Sequence, residues 1–205
     1  MIEKSEWFPE QKWESEWWGK CLNTFNEEKK QIAYAMKMGL RWVIDPEGRS
    51  PYYLDIKHKK ILDIGGGPTS LLLKGLNKGK LCTVVDPLTV PTWVWMRYTD
   101  AEIRFFNLPA EEINIEGEEF DEVWIYNCLQ HTINPEKIIK KALELGKIIR
   151  IFEWLDTPKH TGHPHTLTEE NLNSWLGGYG RVELLDGLSN CYGKAYYGIF
   201  PSRQT

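Results

Sequence analysis

A strand, a glycine turn and a predicted helix follow one another in residues 61–70, and this succession constrains the fold more than any other part of the chain. The apolar segment Ile61–Ile64 runs into three consecutive glycines, Gly65–Gly67. Glycine lacks a Cβ and tolerates positive φ, so a ligand can approach such a turn closely. Pro68 suits the first turn of a helix, where its missing N–H costs nothing. The segment therefore predicts a cofactor cradle opening a helix over about 68–77.

A carboxylate follows the second predicted strand, at the place expected for a ribose-binding group. This strand lies near 81–86 and ends at Asp86, which can accept hydrogen bonds from two ribose hydroxyls. Such a carboxylate serves NAD and S-adenosylmethionine equally well. Asp63, two residues before the first glycine, favours S-adenosylmethionine, because it could attract the ammonium of a methionine moiety, which NAD lacks.

The motifs around this cradle resemble those of the class I S-adenosylmethionine-dependent methyltransferases, in particular the small-molecule type with a methyltransferase domain 11. Residues 63–67 and Asp86 resemble the first two family motifs, and Phe120–Lys137 resembles the fourth-strand motif. His163–Leu172 resembles the family's HxHxxTxExL segment. The resemblance covers roughly residues 56–200. It implies a doubly wound, mainly parallel, seven-stranded Rossmann-like α/β sheet with an antiparallel last strand, and it implies S-adenosyl-L-methionine as cofactor.

The alternation of strands and helices predicts one methyltransferase domain over residues 1–205, a length sufficient for a substantial core. We expect a cofactor-binding core over 56–205 and an aromatic-rich helical N-terminal extension over 1–55, with a helix from about 27 to 40 that Thr24–Asn26 could cap. The predicted strands lie near 60–64, 81–86, 102–106, 121–126 and 147–153, with a closing pair at 181–185 and 195–200. The other predicted helices lie near 68–77, 90–98, 135–145 and 168–177.

The extension carries five of the ten tryptophans, namely Trp7, Trp13, Trp17, Trp18 and Trp42. They either fold over the crevice as a lid that stacks on a flat or sugar-like acceptor, or pack a helix onto the sheet. We expect packing for most of them and a place in the pocket for one or two. Trp93 and Trp95, just past Asp86, could flank the ribose or the adenine.

Composition narrows the choice of partners and compartment. The net charge of −4 and the pI near 5.8 give no general attraction to nucleic acid. The N-terminus has no apolar segment for export, and no apolar run approaches the roughly 18 residues of a membrane span. The four cysteines lie far apart and form no CxxC pair, which favours a reducing compartment. We therefore expect a cytoplasmic protein without membrane contact; the oligomeric state stays open.

The resemblance assigns the cofactor to residues at the predicted strand ends. The glycine turn, Gly65, Gly66 and Gly67, would approach the methionine half, with Asp63 attracting the ammonium directly or through water. Asp86, followed by Pro87, would hold the ribose. Asn107 and Leu108 would border the adenine, although the family often has Asp at the position of Asn107. Asn127 would lie below the methyl group.

Four side chains are candidates for the base that a hydroxyl acceptor benefits from: His131, His163, His165 and Glu153. His131 follows the fourth-strand motif and is the first choice. His163 and His165, with His160, could instead bind a metal together with Glu153. We predict no metal site, because this pattern lies in a loop and lacks a well-defined carboxylate partner.

The resulting prediction is an S-adenosylmethionine-dependent methyltransferase that acts on a small molecule or a glycan, at a hydroxyl. Action on nucleic acid or protein is the alternative. The fourth-strand motif speaks against amino methylation of a base, because it reads Asn127-Cys128-Leu129-Gln130 and not Asn/Asp-Pro-Pro-Tyr/Phe. A nicotinamide oxidoreductase is a third interpretation, against which Asp63 and the two-strand tail speak. A cofactor-binding subunit without activity is a fourth.

Overall fold

The computed structural model describes residues 1–43, 53–76, 82–115 and 117–202. Within these residues lie five α-helices: α1 Lys4–Trp18, α2 Cys21–Lys37, α3 Thr92–Asp100, α4 Pro135–Leu145 and α5 Glu169–Leu176. The strands are β1 Trp42–Val43, β2 Tyr53–Asp55, β3 Ile61–Ile64, β4 Gly75–Leu76, β5 Thr83–Val85, β6 Arg104–Phe106, β7 Phe120–Tyr126, β8 Gly146–Trp154, β9 Arg181–Leu188 and β10 Cys191–Pro201. Residues 44–52, and Leu81 of the predicted second strand, lie outside the described residues.

Seven strands form the central sheet in the order β6-β5-β3-β7-β8-β10-β9. The pairs from β6 to β8 are parallel, and β10 runs antiparallel to both β8 and β9. This confirms the predicted doubly wound sheet with an antiparallel last strand. A small second sheet, β1-β2-β4, was not predicted.

Helices cover both faces of the central sheet, as its continuous apolar strands require. One buried cluster contains α2 and α3 residues such as Tyr34 and Tyr98. The other contains α4 and α5 residues such as Ile138 and Leu172. Asn134 caps α4 by accepting a hydrogen bond from the Lys137 N–H at 3.1 Å, with a proline at the first helical position. No helix within the described residues is long and apolar enough to cross a bilayer.

The predicted helix over 68–77 is wrong. Residues 67–69 and 71–74 form two short 3-10 turns, and β4 follows at once. Ser70 interrupts them with an extended backbone, φ −46° and ψ 141°. The N–H of Ser70, which has no partner inside a helix that begins at Pro68, donates to the Tyr98 hydroxyl, and the N–H of Leu71 donates to the Tyr126 hydroxyl instead of to a carbonyl four residues back. Side chains of the sheet and of α3 therefore hold this segment, so no helix forms.

The extension is helical as expected, but its helices differ from the predicted one. Helix α2 begins at Cys21, earlier than the predicted start near 27, and its N-cap residue is Lys20, so Thr24–Asn26 lie inside the helix. It ends at Lys37, before Gly39, which adopts a φ of +70°. Helix α1 was not individually predicted, because its apolar and charged residues do not separate into two clear faces. These two helices lie beside the site described next.

Candidate active site

The carboxyl ends of β3, β5 and β7 open into one pocket, as expected for a ligand site of a parallel α/β sheet. Its cavity measures about 370 Å³. Gly65, Asp86 and Asn127, each just past one of these strands, line it. Helices α1 and α2 supply the opposite wall. The pocket therefore lies between the predicted motifs and the extension.

The glycine turn needs glycine for two separate reasons. Gly65 has a φ of +74°, and a Cβ there would lie 2.4 Å from the Cβ of Cys128. Gly67 has a φ of +54° and lines the pocket. Gly66 does not line it, since its missing Cβ faces Asp63, 2.7 Å from Oδ2. Two of the three glycines thus present backbone to the pocket, and the middle one packs against Asp63.

Asp86 ties the second strand to the glycine turn and lines the pocket. Its Oδ2 accepts a hydrogen bond from the Gly67 N–H at 2.9 Å, and its Oδ1 accepts one from the Leu88 N–H at 2.9 Å. Burial raises the pKa of this carboxyl to about 6, against the lowering effect of the two N–H donors. Each oxygen retains a lone pair, so the carboxylate can still accept ribose hydroxyls. Pro87, next in the chain, lines the same wall.

Asp63 lies under the glycine turn and is not among the residues that line the pocket. It is fully buried, and its Oδ2 accepts hydrogen bonds from Ser70 Oγ at 2.5 Å and from the Tyr126 hydroxyl at 2.8 Å. Oδ1 has no partner among the described residues. Burial outweighs these hydrogen bonds and raises the pKa of Asp63 to about 7. The structure therefore places this carboxyl behind the turn, where it holds the turn's shape.

This raised pKa makes the stability of the protein depend on pH. Because the folded-state pKa of Asp63 exceeds its unfolded value of about 3.9, its contribution is complete below that value and is lost as the pH rises through about 7. Between pH 4 and 8, we expect the free energy of unfolding of the wild type to fall by about 1–3 kcal/mol more than that of Asp63→Asn. Urea denaturation at each pH measures this, with Asp100→Asn, an exposed carboxylate, as control. Parallel pH profiles for wild type and Asp63→Asn would contradict the assignment.

Asn107 and Leu108 border a neighbouring cavity that shares Pro87 and Pro109 with the main pocket. The Asn107 Nδ2 donates to the backbone oxygens of Asp86 at 3.1 Å and of Leu88 at 2.6 Å. Its amide therefore already has two partners, and it shapes the loop after β5. The structure brings both residues beside the pocket and not into it.

Asn127 follows β7 and lines the pocket in a left-handed conformation, with a φ of +50°. Its side chain bridges two elements: Nδ2 donates to Glu27 Oε1 at 3.1 Å, and Oδ1 accepts from Gln130 Nε2 at 3.1 Å. The same Glu27 oxygen accepts from the Tyr34 hydroxyl at 2.7 Å. Helix α2 is thus bonded directly to the end of the fourth predicted strand.

His131 lies in the pocket wall beside a carboxylate that the sequence analysis missed. Its Nδ1 lies 3.0 Å from Oε1 of Glu14 on α1, and it also contacts the backbone oxygen of Gly162. Burial lowers the pKa of His131, but the Glu14 carboxylate outweighs burial, so the pKa lies above its usual value. With Nδ1 held by these two acceptors, Nε2 carries the lone pair of the neutral ring.

The other three candidate bases occupy different places. His163 lines the pocket, whereas the Nε2 of His165 contacts the backbone oxygen of Thr132 at 2.8 Å, outside it. Glu153 is fully buried, and its Oε1 accepts hydrogen bonds from the N–H groups of Cys128 and Leu129, both at 3.1 Å. The structure therefore brings only His163 to His131, and Glu153 supports the turn below them.

Helix α1 lines the pocket with one mixed face: Trp7, Gln11, Glu14 and Trp18 recur at helical spacing, with Trp13 and Trp17 beside them. Trp7 Nε1 donates to the His131 backbone oxygen at 2.8 Å. Four tryptophans of α1 therefore line the pocket, whereas one or two were expected. This spacing of four, three and four residues was the signal that could have identified Glu14.

Trp93 and Trp95 do not line the pocket; they are exposed on α3.

Comparison with known proteins agrees with this geometry. Residues 62–147 match the family model of the methyltransferase domain. No curated protein matches the chain in sequence. Among solved structures, the N-methyltransferase NodS from Bradyrhizobium japonicum, in complex with S-adenosyl-L-homocysteine, is 14% identical, with a TM-score of 0.53 over 70% of this chain and 78% of that chain.

Two further solved structures have the same fold. The 1,6-didemethyltoxoflavin-N1-methyltransferase of Burkholderia thailandensis is 18% identical, with a TM-score of 0.55 over 72% of each chain. The magnesium protoporphyrin IX methyltransferase of Synechocystis is 12% identical, with a TM-score of 0.58 over 88% of each chain. Identities this low show a shared fold, and the family match adds the motifs within it. Residues 62–147 therefore carry a methyltransferase domain, and the chain has the fold of these methyltransferases.

Proposed function

We propose that this methyltransferase transfers the methyl group of S-adenosylmethionine to a hydroxyl of a small molecule or a glycan in the cytoplasm. One observation carries the proposal: the glycine turn and Asp86 share a single pocket with the aromatic face of α1 and with His131. The donor side and the acceptor side are therefore adjacent. The buried cysteines Cys128 and Cys191 carry free thiols, which suits a reducing compartment.

Residues already around the pocket fit the donor. Gly65 and Gly67 present backbone where the methionine half would lie, and Asp86 retains lone pairs for the ribose hydroxyls. Glu27 and Lys30 also line the pocket, with Lys30 Nζ 3.2 Å from Glu27 Oε2. They offer the opposite charges that the ammonium and carboxylate of a methionine moiety need. Asp63 would then act on the donor only through the glycine turn.

The remaining cofactor candidates take supporting places. Asn127 would lie beneath the methyl group, held there by its bonds to Glu27 and Gln130. Asn107 and Leu108 would shape the adenine end through the loop that they hold. Pro87 would flank the ribose beside Asp86.

The acceptor would lie against the tryptophans of α1. S-adenosylmethionine supplies an already activated methyl group, so orientation of the acceptor and exclusion of water account for much of the rate. Trp7, Trp13 and Trp17 provide flat surfaces that suit an aromatic or sugar-like molecule. His131, held by Glu14, is the side chain that we propose to draw the proton from the acceptor hydroxyl.

A nitrogen acceptor is the second candidate. Two of the similar structures are named N-methyltransferases, and one of them acts on 1,6-didemethyltoxoflavin. A neutral amine already has its lone pair, so desolvation in the pocket would be enough and His131 would matter less. Nucleic acid and protein are less supported as acceptors, because the net charge is −4 and the pocket lies under α1.

Titration calorimetry followed by an acceptor screen tests the proposal. We expect S-adenosylmethionine and S-adenosylhomocysteine to bind and NADH not to bind. Release of S-adenosylhomocysteine is then measured with matched pairs of hydroxylated and aminated aromatic compounds and sugars, with an oligonucleotide and a protein mixture as further arms. Turnover of the amines but not of the hydroxylated partners would favour the second candidate. NADH binding without binding of either sulfur ligand would overturn the proposal.

A further inference from the structure

Three side chains from separate segments converge on the acceptor side of the pocket. Glu14 comes from α1, His131 from the turn after β7 and His163 from the loop after β8. Each offers one possible ligand atom, a carboxylate oxygen or a ring nitrogen, and these atoms all lie within 4.8 Å of one another. All three residues line the pocket. We name them the Glu-His-His cluster.

His163 has an unused ring nitrogen in this cluster. Its Nδ1 is buried and has no hydrogen-bond partner among the described residues. Buried polar atoms are almost always bonded, so an exception needs an explanation. An unshared ring nitrogen of a neutral imidazole is the atom that coordinates metals.

Glu14 and His131 supply the rest of a ligand set. The carboxylate is nearly buried, with 9% of the residue exposed, and faces an imidazole at 3.0 Å. The backbone oxygen of Gly162 contacts the Nδ1 side of His131. Contacts of this outer kind fix the orientation of metal-binding histidines. The sequence offered only Glu153 as a carboxylate partner for its loop histidines, whereas the fold provides Glu14 from the N-terminal extension.

We propose that the Glu-His-His cluster binds one divalent transition-metal ion, such as Zn²⁺, beside the acceptor. Two imidazole nitrogens and one carboxylate oxygen, without a thiolate, suit Zn²⁺ or Fe²⁺ better than Mg²⁺ or Ca²⁺, which prefer oxygen ligands. Three protein ligands leave a coordination position open. Because the cluster lines the pocket, that position is accessible to an acceptor oxygen.

The use of this ion rests on the proposed function. Coordination to a divalent metal lowers the pKa of a hydroxyl. The O–H bond of the acceptor would break, with its proton passing to solvent. The oxygen would then bond to the methyl carbon as the bond from that carbon to sulfur breaks, and the sulfonium would leave as a neutral thioether. His131 would then act on the hydroxyl through the metal and not as a free base.

Metal titration of the chelator-treated full chain tests the proposal. Calorimetry with Zn²⁺ is expected to show one ion per chain, and Co²⁺ is expected to give visible absorption bands typical of four or five ligands. Glu14→Gln and His163→Gln should each weaken Zn²⁺ binding at least about tenfold. His165→Gln, which removes an imidazole two positions from His163 but outside the pocket, should leave the affinity unchanged. Thermal unfolding checks that each variant is folded.

Failure of the metal proposal is distinguishable from failure of the proposed function. Absence of Zn²⁺ and Co²⁺ binding, or equal Zn²⁺ affinity in all variants, would overturn the metal site. S-adenosylhomocysteine is titrated into the same chelator-treated protein. If it binds while Zn²⁺ does not, the methyltransferase proposal stands and the metal site falls; the opposite result would leave a metal site in a protein whose proposed function is wrong. If one variant does not fold, the other and the Co²⁺ spectrum of the wild type decide.

Discussion

Replacing His131 by glutamine is expected to lower kcat about 10²–10⁴-fold, the range typical of a lost proton-transfer group. His131 is the imidazole that Glu14 and Gly162 hold against the side of the pocket where we propose that the acceptor binds. The loss is expected whether this ring takes the proton itself or holds a metal ion that acts on the hydroxyl. The affinity for S-adenosylhomocysteine should stay within about threefold, because His131 is not part of the donor side.

Initial rates with a hydroxylated acceptor from the screen, together with calorimetry, measure these two quantities. His58→Asn is the control for loss of a histidine: His58 is exposed, and asparagine tolerates its φ of +58°. An unchanged kcat in His131→Gln would remove the proton-transfer role from this side chain. A large loss of S-adenosylhomocysteine affinity would instead place His131 on the donor side.

Replacing Asp86 by alanine is expected to weaken binding of S-adenosylhomocysteine about 10²–10⁴-fold. Hydrogen bonds to a charged group contribute about 1.5–3 kcal/mol each, and two ribose hydroxyls would donate to this carboxylate. Each 1.4 kcal/mol corresponds to about a factor of ten in affinity. The N–H groups of Gly67 and Leu88 now donate to the Asp86 carboxylate, and the substitution leaves them without this acceptor. Part of the loss will therefore come from a looser glycine turn.

Asp86→Asn separates the two contributions, because its amide oxygen can still accept from one of these N–H groups. We expect an intermediate affinity for it, measured by the same calorimetry. Asp100→Ala, which removes an exposed carboxylate at the end of α3, should bind normally. Binding of Asp86→Ala within about threefold of the wild type would show that the ribose lies elsewhere.

The sequence predicts the central sheet well because its strands are continuous apolar runs with polar residues at their carboxyl ends. Asp86 and Asn127 lie in the pocket for this reason. The helix predicted after the glycines does not form: the backbone of Ser70 is extended, and the Tyr98 and Tyr126 hydroxyls, distant in sequence, accept from the N–H groups of Ser70 and Leu71. Local propensity does not contain that information.

The pocket wall that we propose for the acceptor was hardest to predict, because contacts between distant segments assemble it. Glu14 meets His131 only because α1 folds across the strand ends. Glu153 appears in the sequence as a strand-end carboxylate, and only the three-dimensional structure shows that the turn at Cys128 covers it. Asp63 is similar: its position before the glycines is visible in the sequence, whereas its burial beneath them is not.

The thiol of Cys128 is a side chain of the enzyme that its own methyl donor could modify. This side chain lines the pocket beneath Gly65, and thiolates are strong nucleophiles toward a sulfonium methyl group. Burial, with the carboxylates of Glu153, Asp63 and Asp86 nearby, raises the pKa of Cys128 well above its usual value. Its Sγ donates to the backbone oxygen of Ile64 at 3.3 Å. The same buried carboxylates that shape the pocket thus keep this sulfur protonated, which protects the enzyme from methylating itself.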